Sequence, residues 1–148
     1  MTRINKGKDT DMIKDRLGKE LLFFDGGMGT LLQERGLGPG ELPETWNLIH
    51  PEVIREIHRA YIEAGSDIVL TNTFGANALK FHDDGCSLEE IVKRGVENVK
   101  KAAEEAGTGR QIYTALDIGP TGKLLKPMGD LDFETAYDAF KEAAMWDW

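Results

Sequence analysis

Three short apolar runs, each cut off by a polar turn containing glycine and followed by a helical segment, constrain the fold of this chain more than any other feature. They are Leu21-Leu22-Phe23-Phe24 before DGGMGT, Asp67-Ile68-Val69-Leu70 before TNTFGAN, and Ile112-Tyr113-Thr114-Ala115-Leu116 before DIGPTG. A brief apolar run bounded by turn signals reads as a buried strand. The segments behind the turns read as helices. A short one is expected from Gly29 to Arg35, followed by the loop GLGPGELP at 36–43. Pro51 opens the next, where its missing N–H costs nothing; Val53, Ile54, Ile57, Ala60, Tyr61 and Ala64 recur at helical spacing, and Gly65 ends the run. Ser87 with Glu90 forms a capping-box pattern ahead of Ile91, Val92, Val96, Val99 and Ala103, and Gly107 stops that helix. A last helix is expected from Phe133 to Met145, with Phe133, Ala136, Tyr137, Phe140 and Ala144 on one side.

The order βα, βα, βα implies an α/β fold with a parallel sheet and right-handed crossovers. It also places the three polar turns at the carboxyl ends of the strands, where α/β folds bind ligands. Residues 1–20 read as a leading helix or loose arm, and 21–148 as one domain.

Composition narrows the function. A chain of 148 residues with 41% hydrophobic and 30% charged content is globular, and its formal net charge of −8 excludes a basic nucleic-acid footprint or docking on an anionic membrane. No apolar run approaches the length of a membrane span, and the mixed-charge N-terminus lacks an apolar signal core, so a cytoplasmic protein is expected. The single Cys86 makes no internal disulfide, and His50, His58 and His82 share no short ligand spacing with it.

The first turn joins one acid to bare backbone. Asp25 offers a carboxylate for an ammonium, and Gly26 and Gly27, followed by Met28, bring backbone N–H groups close to a carboxylate because no Cβ blocks the approach. Together these are a receptor for an α-amino-acid head group; a tight turn with a solvated Asp is the bland alternative. In the second turn Asn72 and Thr73 either contact a polar ligand or cap the backbone, and Phe74 is expected as a cavity wall rather than an exposed residue, with core packing an equally good account. Asp117 opens the third turn as a ligand contact or a turn carboxylate. Trp46 either covers the mouth of a pocket or packs its loop against the body. A dinucleotide site is a weaker reading: Gly27-Met28-Gly29-Thr30-Leu31-Leu32 has Leu32 in place of the third glycine, and no ribose-binding acid ends the second strand.

Taken together, FFDGGMGT at 23–30, PETWNLIHPEVIREIHRAYIEAGSDIVLTNTFGAN at 43–77 and DIGPTG at 117–122 resemble the homocysteine-binding domain of the homocysteine S-methyltransferase family, in the form found as the N-terminal module of cobalamin-dependent methionine synthases. The resemblance implies a (β/α)8 barrel and methyl transfer to the sulfur of homocysteine. It implies that Asp25 and Gly26 hold the amino-acid head group and that Thr73 and Phe74 line the pocket. It further implies zinc, held by three cysteines and turning the thiol into thiolate, with cobalamin and methyltetrahydrofolate possible through other modules.

The zinc motifs are not in this sequence, and Cys86, in DDGCSLEE, matches none of them. About three βα units of the eight in such a barrel are present. The ending AAMWDW breaks the helix pattern and reads as a truncation or a frame change. The expectation is an incomplete TIM barrel that carries part of a homocysteine pocket and is inactive alone. An open sheet edge would leave it marginal and prone to self-association or to pairing with a missing barrel half. The alternative is a non-catalytic half-barrel assembly module.

Overall fold

A computed structural model of the chain describes residues 12–81 and 85–145. The elements run α1 (Ile13–Arg16), α2 (Gly29–Glu34), a 3-10 turn (Pro43–Thr45), α3 (Trp46–Ile49), α4 (Pro51–Ala64), β1 (Ile68–Leu70), α5 (Leu88–Ala106), β2 (Tyr113–Ala115) and α6 (Phe133–Met145). Strands β1 and β2 pair in parallel with Ile68 opposite Tyr113, Val69 opposite Thr114 and Leu70 opposite Ala115. The chain between them crosses over through α5, the connection that a parallel pair requires.

The helix limits follow their signals. Pro51 occupies the first turn of α4, and Gly65 ends that helix in the left-handed conformation at φ 119°, which a Cβ would strain. Its N–H donates to the Ile62 carbonyl and that of Ser66 to Tyr61. At the start of α5 the Ser87 hydroxyl accepts from the Glu90 N–H at 3.1 Å, satisfying one of the free donors of a helix start. Helices α4 and α5 lie against each other and against β1. Leu32, Trp46, Ile54 and Ile57 form one buried cluster, Ile62, Val69, Val99 and Ala102 a second, and Ala76, Ile91 and Val92 a third. These clusters fix the heights at which the turns after β1 and β2 emerge.

Two expectations are corrected. The first apolar run is no buried strand: it contributes a single parallel bridge, Phe24 to Ile68, and Leu21, Phe23 and Phe24 are 81%, 59% and 58% exposed. Its pairing runs along one edge, to β1, and no described element covers its side chains. Helix α6 buries Ala136, Ala139 and Ala143 instead of its aromatic side, so Phe133, Tyr137 and Phe140 remain exposed. Of the N-terminal segment, residues 1–11 lie outside the described residues. The rest begins with one helical turn, from which Arg16 reaches Glu20 at 2.7 Å and Asp67 at 3.5 Å.

Candidate functional site

The three turns meet at the carboxyl end of the sheet around a cavity of about 350 Å³. Its wall combines residues 25–29, residues 70–74, Asp117 and the Pro43-Glu44 pair. All eight residues singled out in the sequence are in that wall: Asp25, Gly26, Gly27, Met28, Asn72, Thr73, Phe74 and Asp117.

Asp25 is placed by the bridge. Its N–H donates to the Ile68 carbonyl at 3.0 Å, and its Oδ2 accepts from the Leu70 N–H at 3.2 Å. Its Oδ1 is buried and has no hydrogen-bond partner among the described residues. Burial pushes the carboxyl up to about 6, with the nearby Asp117 charge adding to the shift; Asp117 is itself raised by burial. A buried carboxylate oxygen without a partner costs free energy that a cation or donor would recover. Gly26, Gly27 and Met28 line the same cavity, and their backbone N–H groups donate to nothing among the described residues.

The glycines of this turn differ. A Cβ on Gly26 would come within 2.9 Å of the Tyr61 hydroxyl oxygen, whereas one on Gly27 would meet nothing within 4 Å. Tyr61 in turn donates to the Gly27 carbonyl at 2.9 Å and so holds the turn from beneath. Gly26 is bare for packing, and Gly27 leaves the backbone open toward the cavity.

The second and third turns are tied by their own side chains. Thr73 Oγ1 donates to the Asp117 carbonyl at 2.7 Å, the Asp117 N–H donates to Thr71 Oγ1 at 3.1 Å, and the two hydroxyls lie 2.6 Å apart. The loop closes if Thr71 donates to Thr73, so both hydroxyls are engaged. The Asn72 amide donates to the Pro43 carbonyl at 2.7 Å, and Asn47 donates to the Asn72 carbonyl at 2.8 Å. Thr73 and Asn72 are therefore committed to the scaffold, and their contribution to the cavity is its shape. Phe74 lines the cavity yet is 55% exposed, which corrects the expectation of an enclosed wall. Gly119 holds it: its N–H donates to the Phe74 carbonyl at 2.9 Å, and a Cβ there would come within 3.0 Å of the Phe74 ring.

Trp46 is not a lid. It is buried against Leu32, Ile54 and Ile57, edge-on to the His50 ring, because α3 turns it inward. Leu32, in the place of a third dinucleotide-loop glycine, belongs to the same cluster. His58 is buried on α4 with neither ring nitrogen bonded among the described residues, and burial lowers its pKa to about 4.

Sequence reasoning missed Glu44, Thr71 and Tyr61. Glu44 is 5% exposed and accepts from the Gly75 N–H at 2.6 Å. The available signal was an acid directly after Pro43 at the end of a glycine-rich loop. Tyr61 was hidden in the apolar stripe of α4, where its hydroxyl gave no sign of reaching another element.

A larger cavity, about 890 Å³, opens between α3, α4 and α5, with Arg55, Arg94, Asn98, Lys101 and Cys86 among its lining residues. Among the described residues no three His, Cys, Asp or Glu side chains come together as a metal site, and Cys86 is not in the wall of the strand-end cavity. The described residues do not fit a zinc centre.

The site thus defines a class: a parallel α/β protein with a small acid-lined cavity at the ends of its strands. The chain belongs to the homocysteine S-methyltransferase family, whose model matches residues 22–146. It is 35% identical to methionine synthase of Mycobacterium tuberculosis over 146 residues, which cover 93% of this chain and 12% of that protein. Methionine synthase of Mycobacterium leprae is 34% identical over the same share. Among solved structures, the homocysteine methyltransferase MmuM from Escherichia coli in its oxidised form superposes with a TM-score of 0.65 at 28% identity, over 74% of this chain and 41% of that one. Its metallated form gives 0.61 at 27%, over 70% and 40%. The chain thus spans about an eighth of the curated relatives it matches and about two fifths of the MmuM chain.

Proposed function

We propose that this chain supplies the head-group side of a homocysteine pocket in a barrel enzyme that transfers a methyl group to the homocysteine thiol. The Asp25 carboxylate takes the ammonium. The N–H groups of Gly26, Gly27 and Met28 take the substrate carboxylate, and Phe74 borders the thiol-bearing side chain. The observation that carries this reading is a buried Asp25 Oδ1 without a partner among the described residues, in a cavity also lined by Gly26, Gly27 and Met28, whose backbone N–H groups donate to nothing among those residues. Ionised Asp25 next to an ammonium recovers the desolvation that now raises its pKa.

Residues 21–148 are read as the contribution of this chain to one (β/α)8 barrel, with 1–20 as an arm. Zinc, cobalamin or methyltetrahydrofolate, and the methyl donor itself, belong in this reading to parts of the enzyme outside these residues, so no methyl transfer is expected from the chain alone. A cytoplasmic setting accords with the lone cysteine and with the absence, among the described residues, of a helix able to cross a membrane. Calorimetric titration of the purified, reduced chain with L-homocysteine tests the pocket. Saturable one-to-one binding is expected, and no binding at millimolar ligand would overturn the reading.

The second reading, an assembling half-barrel, is favoured by the exposed apolar side chains of Phe23, Phe24, Phe133 and Tyr137. It predicts a defined dimer or hetero-complex by sedimentation; a strict monomer at all concentrations would contradict it.

A further inference from the structure

Glu44 is the most deeply buried acid in the cavity wall, yet it is paired with no cation among the described residues. Its one hydrogen bond there comes from the Gly75 N–H, at 2.6 Å. Burying a carboxylate is costly unless the bond it accepts is strong and the geometry fixed. The geometry is fixed from both sides. A Cβ on Gly75 would sit 2.7 Å from Glu44 Oε1, so a larger residue there would make the carboxylate shift from its place on this N–H. Next to Glu44, the Pro43 carbonyl accepts from the Asn72 amide at 2.7 Å. The 43–45 turn therefore grips the second strand-end turn at Asn72 and at Gly75, on either side of Phe74. The Phe74 ring is half exposed; it lies close to Gly119 and 6.0 Å from the Lys80 ammonium, and the 43–45 turn holds the backbone on both sides of it.

We propose that Glu44 is a positioning residue: it acts through Gly75 to set Phe74 at the rim of the cavity, and thereby sets the affinity for the ligand side chain. This rests on the homocysteine reading for the identity of the ligand. A carboxylate that instead touched the ligand ammonium would depend on its charge, whereas a positioning carboxylate depends on its acceptor oxygen, which glutamine retains.

The test compares Glu44→Ala, Glu44→Gln and Gly75→Ala in the full chain. Two readouts are used: L-homocysteine titration and residue-resolved amide exchange by NMR. Glu44→Ala and Gly75→Ala are expected to weaken binding about tenfold and to speed exchange of the residue-75 amide by a similar factor, the effect of losing one charge-assisted bond. Amides inside α4 and α5 should not change, the Phe74 ring resonances should move, and Glu44→Gln should stay within about threefold of the parent on both readouts. Unchanged Gly75 exchange in Glu44→Ala would overturn the proposal. So would equal loss of binding in Glu44→Gln and Glu44→Ala, which would make Glu44 a direct ligand contact. Failure of both alanine variants to fold would also overturn it, by making Glu44 a requirement of the fold as a whole. If the parent chain binds no homocysteine, the pocket reading fails separately; Gly75 exchange and the Phe74 resonances then decide whether Glu44 sets the rim.

Discussion

The strand-end cavity and the cavity between α3, α4 and α5 differ in a way that size does not convey. The larger, between the helices, at about 890 Å³, has walls whose polar groups are mostly paired already: Arg55 with Glu105 at 3.5 Å, Arg94 with Glu97 at 2.7 Å, and the Asn98 amide with the Asn47 carbonyl at 3.1 Å. The smaller, at about 350 Å³, is lined by Asp25, whose Oδ1 has no partner among the described residues, and by a run of residues whose backbone N–H groups donate to nothing among them. A ligand entering the first must displace existing bonds; one entering the second can supply the bond that the buried Asp25 Oδ1 lacks among the described residues and meet backbone N–H groups not engaged by them. Unsatisfied polar groups, more than volume, mark where binding free energy remains to be gained.

The most damaging change to that contrast is Asp25→Asn. Removing the charge opposite an ammonium is expected to weaken L-homocysteine binding by about 100-fold, near 3 kcal/mol, as measured by calorimetry. The same variant should be more stable than its parent at neutral pH. Burial raises Asp25 from its ordinary 3.8 to about 6, so ionisation disfavours the fold as pH rises across that window. With the group only half buried, the gain at pH 7 is about 1 kcal/mol after solvent screening, readable as a shifted urea midpoint. A variant that binds weakly because it unfolds would contradict the account.

Next in size is the pH dependence of binding. Only the ionised carboxylate attracts the ammonium, so affinity should hold above about pH 6 and fall about tenfold for each unit below it, until the protonated form's own weak affinity is reached. A flat profile from pH 5 to 7 would remove Asp25 from the site. Tyr61→Phe should cost less, about fivefold, since it loses one neutral hydrogen bond to the Gly27 carbonyl and leaves the turn otherwise intact. Smallest of all is Arg94→Ala in the large cavity, expected to change homocysteine binding by less than about twofold because its charge is engaged by exposed Glu97. A larger effect there would reverse the contrast between the cavities.

Where a signal was local, the sequence was readable. Pro51, Gly65, Ser87 and Gly107 act on backbone within a turn or two, and helices α4 and α5 begin and end where those residues place them. The strand-end turns were equally legible, because a chain of alternating strands and helices sends them to one end of the sheet, and the cavity wall gathers them there. What was not legible depended on partners far along the chain. Phe23 and Phe24 look like a buried strand, but burial needs a covering layer that no described residue provides. The aromatics of α6 are misread for the same reason. Trp46 turned inward because α3 packs on α4, and Glu44 and Tyr61 work through Gly75 and Gly27, bonds across which no sequence period runs.

The measurement that bears most directly on the central claim is a 1H–15N correlation spectrum of the chain titrated with L-homocysteine under reducing conditions. The account predicts shifts confined to residues 25–29 and 70–75 and to Asp117, with the α4–α5 amides around the larger cavity unmoved. Shifts centred on Arg55, Arg94 and Asn98, or a spectrum unchanged at millimolar ligand, would contradict it.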